Sequence, residues 1–254
     1  MQAWAASAGL WAPGFANVKA WAAGVADPLV IEPAAALLPE RLARRASMLT
    51  RIAAEVLEQV CPGARLSDVA TVYATAYGET QTLGAILDSM ATDGSCSPAR
   101  FHQSVQNTAA GLLSIANGNR GFSTTISAGA DTVAMALLEC FGVLQQESEV
   151  IAVFAEEPPP APFAQSGFAA AGAALRLSRE PTPGAQRVSL RRAEAEPPFQ
   201  LPGEFANNPI TVSLSLAEAL HLRRSGTFAL SPAPGGWAVE IGVTAGAEGE
   251  KKTA

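Results

Sequence analysis

The order of apolar segments along residues 39–154 constrains the fold more than any other feature of this sequence. Stretches rich in Val, Ile, Thr and aromatic residues, which are typical of buried strands, alternate with stretches in which apolar residues recur every three or four positions, which predicts helices. The predicted strands are residues 68–77, 122–126 and 150–154. The predicted helices are residues 39–60, 80–90, 101–105, 108–117 and 131–144. This alternation favours an α/β layered sandwich around a mixed β-sheet.

The rest of the chain is predicted as strands and turns between proline-rich segments. Residues 1–31 are predicted as strand and loop, and the acidic, proline-rich residues 156–162 as a loop. A turn at residues 181–184 joins two strands, which are therefore expected to form an antiparallel pair. The other predicted elements are strands 169–177 and 187–192, a linker 194–209, a strand 210–214, a helix 215–224, a hairpin of strands 226–230 and 237–243, and a polar tail 245–254.

Composition excludes several classes of protein. Hydrophobic residues make up 48% of the chain and charged residues 16%, so the chain has the material for a buried core. The formal net charge of −6 is unfavourable for nucleic-acid binding, which needs a concentrated basic surface. The apolar N-terminal stretch has no basic start and is interrupted by polar residues, Pro and Gly, so neither a signal peptide nor a membrane span is expected. We therefore expect a cytoplasmic protein.

The cysteines and glycines point to no cofactor. Three widely spaced cysteines without a CxxC motif favour neither a disulfide framework nor a metal site, and two of them lie in apolar contexts where a thiol packs as a small hydrophobic group. Gly118, Gly121 and Gly129 lack the GxGxxG spacing of a dinucleotide site. We therefore expect neither a bound metal nor a cofactor.

Residues 124–131 form the most informative local pattern, a strand, a turn of small residues and the start of a helix. The amides at such a helix start stabilise a thiolate or an oxyanion, so this arrangement is typical of a nucleophile elbow. The turn holds Ser127, Ala128, Gly129 and Ala130, and none of them is a thiol. Ser127 could serve as a nucleophile, but no adjacent base is identifiable, and a serine in a tight turn more often bonds the backbone.

Two segments, FHQSVQNTAAGLLSIA at residues 101–116 and TTISAGADTVAMAL at residues 124–137, resemble the ketosynthase family of the thiolase fold. More narrowly, they resemble the short β-ketoacyl-synthase-like proteins of aryl polyene gene clusters, which act as chain-length factors. LLPERLARRASM at residues 37–48 and APFAQSGFAAAGAALRLSRE at residues 161–180 extend the resemblance, which spans about residues 40–180. It implies a thiolase-like, ketosynthase-like layered sandwich with a mixed β-sheet and a truncated second half.

The departures from the family pattern imply that the chain is not an enzyme by itself. Aligning Gly121 with the glycine that leads the family's nucleophile strand places Ala130 at the position of the active-site Cys. A ketosynthase holds its acyl chain on that Cys as a thioester and uses two downstream basic residues, but a methyl group forms no thioester, and only His221 lies downstream. The chain is also far shorter than a two-half ketosynthase. The implied organisation is an N-terminal half at residues 1–185, a reduced portion at 186–246 on the same core, and a flexible tail at 247–254.

The resemblance also implies partners. Ketosynthases are dimers whose acyl pocket runs toward the subunit interface, so a silent subunit would pair with a complete ketosynthase and bound the tunnel for a chain attached to an acyl carrier protein. His102 would either orient the partner's active site or form structural hydrogen bonds. The candidate interface or tunnel residues are Phe101, His102, Gln103, Val105, Gln106, Asn107, Leu112, Ile115 and Phe122. Two alternatives remain at this point: an acyltransferase or hydrolase that uses Ser127, and a homodimeric scaffold without a ligand.

Overall fold

The computed structural model describes residues 1–62, 66–161, 163, 167–193, 201, 203–231 and 235–244. Its strands are β1 Gln2–Trp11, β2 Ala70–Ala74, β3 Ser123–Ile126, β4 Glu149–Glu156, β5 Ala171–Ser178, β6 Gln186–Arg192, β7 Gly226–Ala229 and β8 Trp237–Thr244. Its α-helices are α1 Val18–Ala22, α2 Glu40–Ala43, α3 Met48–Val60, α4 Thr80–Asp93, α5 Pro98–His102, α6 Thr108–Asn117, α7 Thr132–Val143 and α8 Thr211–His221. The predicted tail at 245–254, most of the linker at 194–202 and the hairpin turn at 232–234 lie outside the described residues.

The described strands form one mixed sheet in the order β3-β2-β4-β5-β1-β6-β8-β7. Strand β2 is parallel to both of its neighbours, β3 and β4, whereas every other pairing is antiparallel. The carboxyl ends of β2, β3 and β4 therefore meet at one edge of the sheet. The predicted α/β sandwich with a mixed sheet is confirmed.

Helices cover the sheet on both faces, because side chains alternate between the faces along each strand. Tyr73, Ile151 and Val153 pack in the hydrophobic cluster that contains α3, whereas their sequence neighbours pack in the cluster that contains α7 and α8. Helix α3 lies very close to the sheet at Gly172 of β5, where a Cβ atom would come within 2.3 Å of Ile52 Cγ2. Small residues on the strands thus permit the close approach of helix and sheet.

The single helix predicted at residues 39–60 is wrong, because the segment folds into two helices, α2 and α3. Ser47 begins the second of them, since its backbone is extended and its Oγ accepts a hydrogen bond of 3.0 Å from the Thr50 amide. A side-chain cap at this position satisfies an amide that the preceding turn leaves free. The apolar spacing continues through residue 46 and conceals the break.

Two further predictions are wrong. Residues 210–214 form no strand and instead begin α8. Because nearly every side chain of this helix is buried, its apolar residues do not follow the spacing of a one-sided helix. Strands β5 and β6 exist close to the predicted bounds, but they are not paired with each other, because β1 lies between them and is antiparallel to both. The N-terminal residues 1–31 contain β1 and also the short helix α1.

Candidate functional site

The predicted strand–turn–helix lies at the edge of the sheet where the parallel strands end. Ala74 of β2 is in register with Ile126 of β3 and with Phe154 of β4, so these three residues mark the floor of the site. After β3 the chain turns through Gly129, whose φ of +56° favours glycine, and enters α7. Thr132 Oγ1 accepts a hydrogen bond from the Ala128 amide at 3.0 Å and donates one to the Gly129 carbonyl at 2.7 Å.

Ala130 lies in the short 3₁₀ turn that leads into α7, and its methyl group is exposed. The amides of the helix start therefore have an inert side chain beside them. Ser127, three residues earlier, donates a hydrogen bond from Oγ to the Thr75 carbonyl and accepts one of 2.7 Å from Gln106 Nε2. Neither a carbonyl nor an amide can take the hydroxyl proton, so these contacts do not activate Ser127.

The two histidines lie apart from one another. His102 is exposed at the end of α5, whereas His221 ends α8 and lines a depression of about 200 Å³ with Ala5, Gln186 and Arg223. Helix α8 packs against β1 and β5, which are separated from the turn after β3 by β2 and β4. The structure therefore does not bring His221 to the elbow.

Several large apolar side chains are exposed in the part of the chain that connects β2 to the edge strand β3. Ile115 is 73% exposed and Phe101 is 60% exposed, values that are unusual for large apolar residues. Gly78 packs within contact distance of Gln106, which in turn bonds Ser127, so the segment before α6 lies against the elbow. We call the following residues the apolar surface: Tyr77, Phe101, Val105, Ile115 and Phe122.

The other candidate interface residues are more polar or partly covered. Gln103 and Leu112 are half-buried, and His102, Gln106 and Asn107 are exposed. A groove of about 460 Å³ runs between α6 and β3 and is lined by small and polar side chains: Gln106, Asn107, Ala110, Gly111, Ser114, Ser123, Thr124 and Thr125. Strand β3 is paired only with β2, so its outer edge faces this side of the molecule.

Three buried glutamates lie near the carboxyl ends of β2 and β4. The sequence did not indicate them as residues of a site. Glu79 precedes α4, and Glu156 and Glu157 follow the buried core of β4; their exposed fractions are 3%, 0% and 6%. Glu156 accepts hydrogen bonds from Thr75 Oγ1 at 3.1 Å and from the Ala76 amide. Sequence placed Glu156 and Glu157 in an acidic loop, although their position directly after a buried strand was a signal that they lie at the edge of the sheet.

Burial controls the protonation of these carboxyl groups. Desolvation raises the pKa of Glu156 to about 7, and desolvation together with the neighbouring Glu79 and Glu156 carboxylates raises the pKa of Glu157 to about 8. Burial also raises the pKa of Glu79, against three hydroxyl donors that lower it. The cluster therefore holds protons near neutral pH, which is uncommon for glutamate.

The described residues include no group of three or more His, Cys, Asp or Glu side chains placed to hold a metal ion. Over the same part of the chain, no helix is long and apolar enough to cross a membrane. Of the cysteines, Cys61 and Cys140 are buried and Cys96 is exposed, and none of the three is in a disulfide. The prediction that two cysteines pack as small hydrophobic groups is confirmed.

A mixed sheet with helices on both faces and an elbow at the carboxyl edge of its parallel strands defines a thiolase-like ketosynthase fold. The family model for the N-terminal domain of β-ketoacyl synthases matches residues 15–231, and the chain belongs to this family. No curated protein matches the sequence.

Solved structures agree on the fold. The chain is similar to a chain of the ketosynthase ApeO in complex with its chain length factor ApeC from Xenorhabdus doucetiae, with a TM-score of 0.68 and 22% identity over 95% of this chain and 99% of that chain. For the ishigamide ketosynthase/chain length factor the TM-score is 0.66 and the identity is 14%, over 94% of this chain and 98% of that chain. For the complex AntDE:AntF, a type II polyketide synthase acyl-carrier protein with its ketosynthase, the TM-score is 0.58 and the identity is 14%, over 70% of this chain and 63% of that chain.

Proposed function

We propose that this chain is a non-catalytic chain-length-factor subunit that pairs with a complete β-ketoacyl-acyl-carrier-protein synthase in polyketide or fatty-acid-like biosynthesis, specifically of aryl polyenes. The observation that carries the proposal is Ala130, an exposed methyl group at the start of α7 in an otherwise complete elbow. A methyl group has no lone pair with which to attack a thioester, so the chain holds no acyl group at this position.

The surroundings of the elbow support a binding role over a catalytic one. Ser127 is held by Thr75 and Gln106, neither of which is a base, and no described contact favours the alternative of a serine-dependent acyltransferase or hydrolase. A serine-reactive phosphonate tests that alternative directly. We expect no labelling that depends on Ser127, and labelling that disappears in Ser127→Ala would contradict the proposal.

The apolar surface supports pairing with a second subunit. Five large side chains are exposed between β2 and the edge strand β3 in the chain, and a partner that covers them gains the free energy of apolar burial. Similar chains occur in complexes of a ketosynthase with a chain length factor. A permanent complex of this kind buries more than about 2,000 Å² in total.

Within this complex, we propose that the interface candidates on α5, α6 and the strand start bound the acyl tunnel. Phe122, which directly precedes β3 and is 44% exposed, is the proposed tunnel residue, and Leu112 on α6 is a further interface or tunnel candidate. Bulk added to a filled tunnel costs about 1–3 kcal/mol per offending group, which is enough to end elongation at a defined length. We propose that the acyl carrier protein binds arginine-rich parts of the surface. We also propose that the chain consists of an N-terminal half at residues 1–185, a reduced portion at 186–246 and a tail at 247–254.

The experiment is co-expression with the complete ketosynthase encoded nearest to this gene. We expect a stable one-to-one complex from the wild-type chain and loss of the complex in Phe101→Glu, because a charge would be buried against the partner. Leu29→Glu is the matched control, since Leu29 is 85% exposed and its neighbours Asp27 and Val30 bond Gly14, just after β1, which β2, β4 and β5 separate from β3. A monomeric wild-type chain in the mixture, or equal binding by both variants, would contradict the proposal.

A further inference from the structure

Helices α4 and α5 form an excursion from the body of the molecule, between β2 and α6. Of the side chains on α4, only Ile86 is buried, and Leu83, Leu87 and Met90 are exposed. The excursion contacts the segment after β4, where Gln81 Nε2 donates a hydrogen bond of 2.7 Å to the Pro158 carbonyl and Gly84 packs against Pro160. We call residues 80–102 the helix pair.

An open groove of about 330 Å³ lies between the helix pair and the body. On the side of the helix pair it is lined by Gln81, Thr82 and Ala85 of α4 and by Arg100 and Gln103 at α5. On the side of the body it is lined by Ser47 and Met48 at the start of α3 and by Glu157. The helix pair therefore lies over a solvent-accessible space, and opening it would break few apolar contacts.

The glutamate cluster lies where the helix pair joins the body. Glu79 follows Gly78, whose φ is +61°, and directly precedes α4. Its carboxylate accepts hydrogen bonds from Ser47 Oγ at 2.7 Å and Thr50 Oγ1 at 3.2 Å, both on α3, and from Thr82 Oγ1 of α4 at 3.2 Å. Glu79 thus connects the body and the helix pair through one side chain, next to a glycine with a left-handed backbone.

Glu157 is the second part of this junction. It accepts a hydrogen bond from the Leu49 amide at the start of α3, whereas its Oε1 is buried without a hydrogen-bond partner among the described residues. The charged groups that act on its pKa are the carboxyl groups of Glu79 and Glu156, and Arg100 of α5, which is exposed to solvent, lines the same groove. On α3, the nearby Arg51 is paired with Glu32.

We propose that the helix pair is a flap hinged at Gly78 and Glu79, held closed when the glutamate cluster carries protons and released when the cluster loses them to solvent. In the closed state, a protonated carboxyl group avoids the repulsion between Glu79 and Glu157 and the cost of a buried charge. Loss of the protons leaves like charges on Glu79, at the hinge, and on Glu157, on the body, and water that enters when the helix pair moves away solvates them. This inference does not depend on the proposed function.

Hydrogen exchange on the purified chain tests the flap. After correction for the intrinsic rates, we expect the protection of amides in α4 to fall at least about tenfold between pH 6 and pH 8, because each proton released on opening contributes up to tenfold per pH unit. The amides of α7, in the buried core, should keep their protection. Equal protection at both pH values, or equal losses in α4 and α7, would overturn the proposal.

Glu157→Gln removes one titrating group and keeps an acceptor for the Leu49 amide. In this variant, the amides of α4 should therefore stay protected from hydrogen exchange at pH 8. Glu147→Gln is the matched control, because Glu147 is exposed at the opposite end of β4. This control should exchange like the wild type. Loss of α4 protection at pH 8 in Glu157→Gln, to the same extent as in the wild type, would contradict the role of the cluster.

A measurement on the wild-type chain keeps the test independent of any variant. Cys96 is the exposed cysteine, whereas Cys61 and Cys140 are buried, and Cys96 lies between α4 and α5 at the end of the flap. A nitroxide attached there should gain mobility between pH 6 and pH 8 and lose it again on return to pH 6. A spectrum that does not change with pH would refute the release of the flap.

Discussion

At the scale of single residues, Gly121 controls the approach of β3 to β2. A Cβ atom at this position would come within 2.7 Å of the Val69 carbonyl oxygen and 2.8 Å of the Asp68 carbonyl carbon, and backbone atoms cannot rotate away. We therefore expect Gly121→Ala to lower the free energy of unfolding by about 1–3 kcal/mol in urea titrations. Gly142→Ala in α7, where nothing lies within 4 Å, should instead raise it by about 0.5 kcal/mol. Equal effects of the two substitutions would contradict this account.

The buried carboxyl groups make stability depend on pH. Because the folded pKa values of Glu156 and Glu157 are raised above those of the unfolded chain, the native state binds more protons, and the stabilisation is complete only below the unfolded value of about 4.5. We expect the free energy of unfolding to fall, by on the order of 3 kcal/mol for each of the two groups, as pH rises from about 4.5 to 8. Urea titrations at intervals across this range measure it. A rise in stability over the same range would show that the two groups are ionised in the folded chain.

Single residues also show what sequence can predict about the site. The elbow and its missing thiol were predictable because strand, turn and helix are consecutive in the chain, so Ser127 and Ala130 lie where expected. The glutamate cluster was not predictable, because Glu79 and Glu157 are far apart in sequence and meet only through the parallel pairing of β2 and β4. A charged pair before a proline-rich segment is normally solvated, and only the tertiary structure buries it.

At the scale of elements, α3 depends on its N-terminal cap. Ser47 Oγ accepts from the Thr50 amide and donates to Glu79, so Ser47→Ala removes both the cap and one partner of a buried carboxylate. We expect this substitution to lower the melting temperature, with a loss of about 1–2 kcal/mol. Ser97→Ala is the control, because Ser97 caps the short, exposed α5 through a longer contact of 3.4 Å. Its effect should be smaller, and the reverse order would contradict the role of Ser47.

Helix α8 shows why one element was assigned to the wrong class. Its first residues, Thr211 and Val212, are β-branched, and its side chains are buried almost all round, so neither propensity nor spacing indicates a helix. Asn208 fixes the start instead: its Oδ1 accepts from the Ile210 amide at 3.0 Å, and its Nδ2 donates to the Ala169 carbonyl at 2.9 Å. The second contact is tertiary, so local sequence does not contain it.

At the scale of the whole molecule, the fold class was predictable and the strand order was not. Alternating strands and helices require helices on the faces of a sheet, and the structure has this arrangement. The position of β1 between β5 and β6 joins residues at opposite ends of the chain, such as Trp4 with Ser178 and Arg187. No local pattern encodes such a pairing, and the short connection between β5 and β6 indicated a hairpin that does not form.

The proposed lack of catalysis is argued at the scale of the whole molecule, so we expect that restoring one sulfur does not restore activity. Ala130→Cys would place a thiol among the amides that begin α7, where the thiolate is stabilised, and we expect it to react with iodoacetamide faster than the exposed Cys96. The same variant alone should form no condensation product from malonyl- and acyl-loaded carrier protein. His102 lies on the exposed α5, and His221 lies beside β1, which β2, β4 and β5 separate from β3, so the structure does not bring the two histidines together at the elbow. Product formation by this variant would show that the chain itself holds a complete catalytic site and needs no partner to supply one.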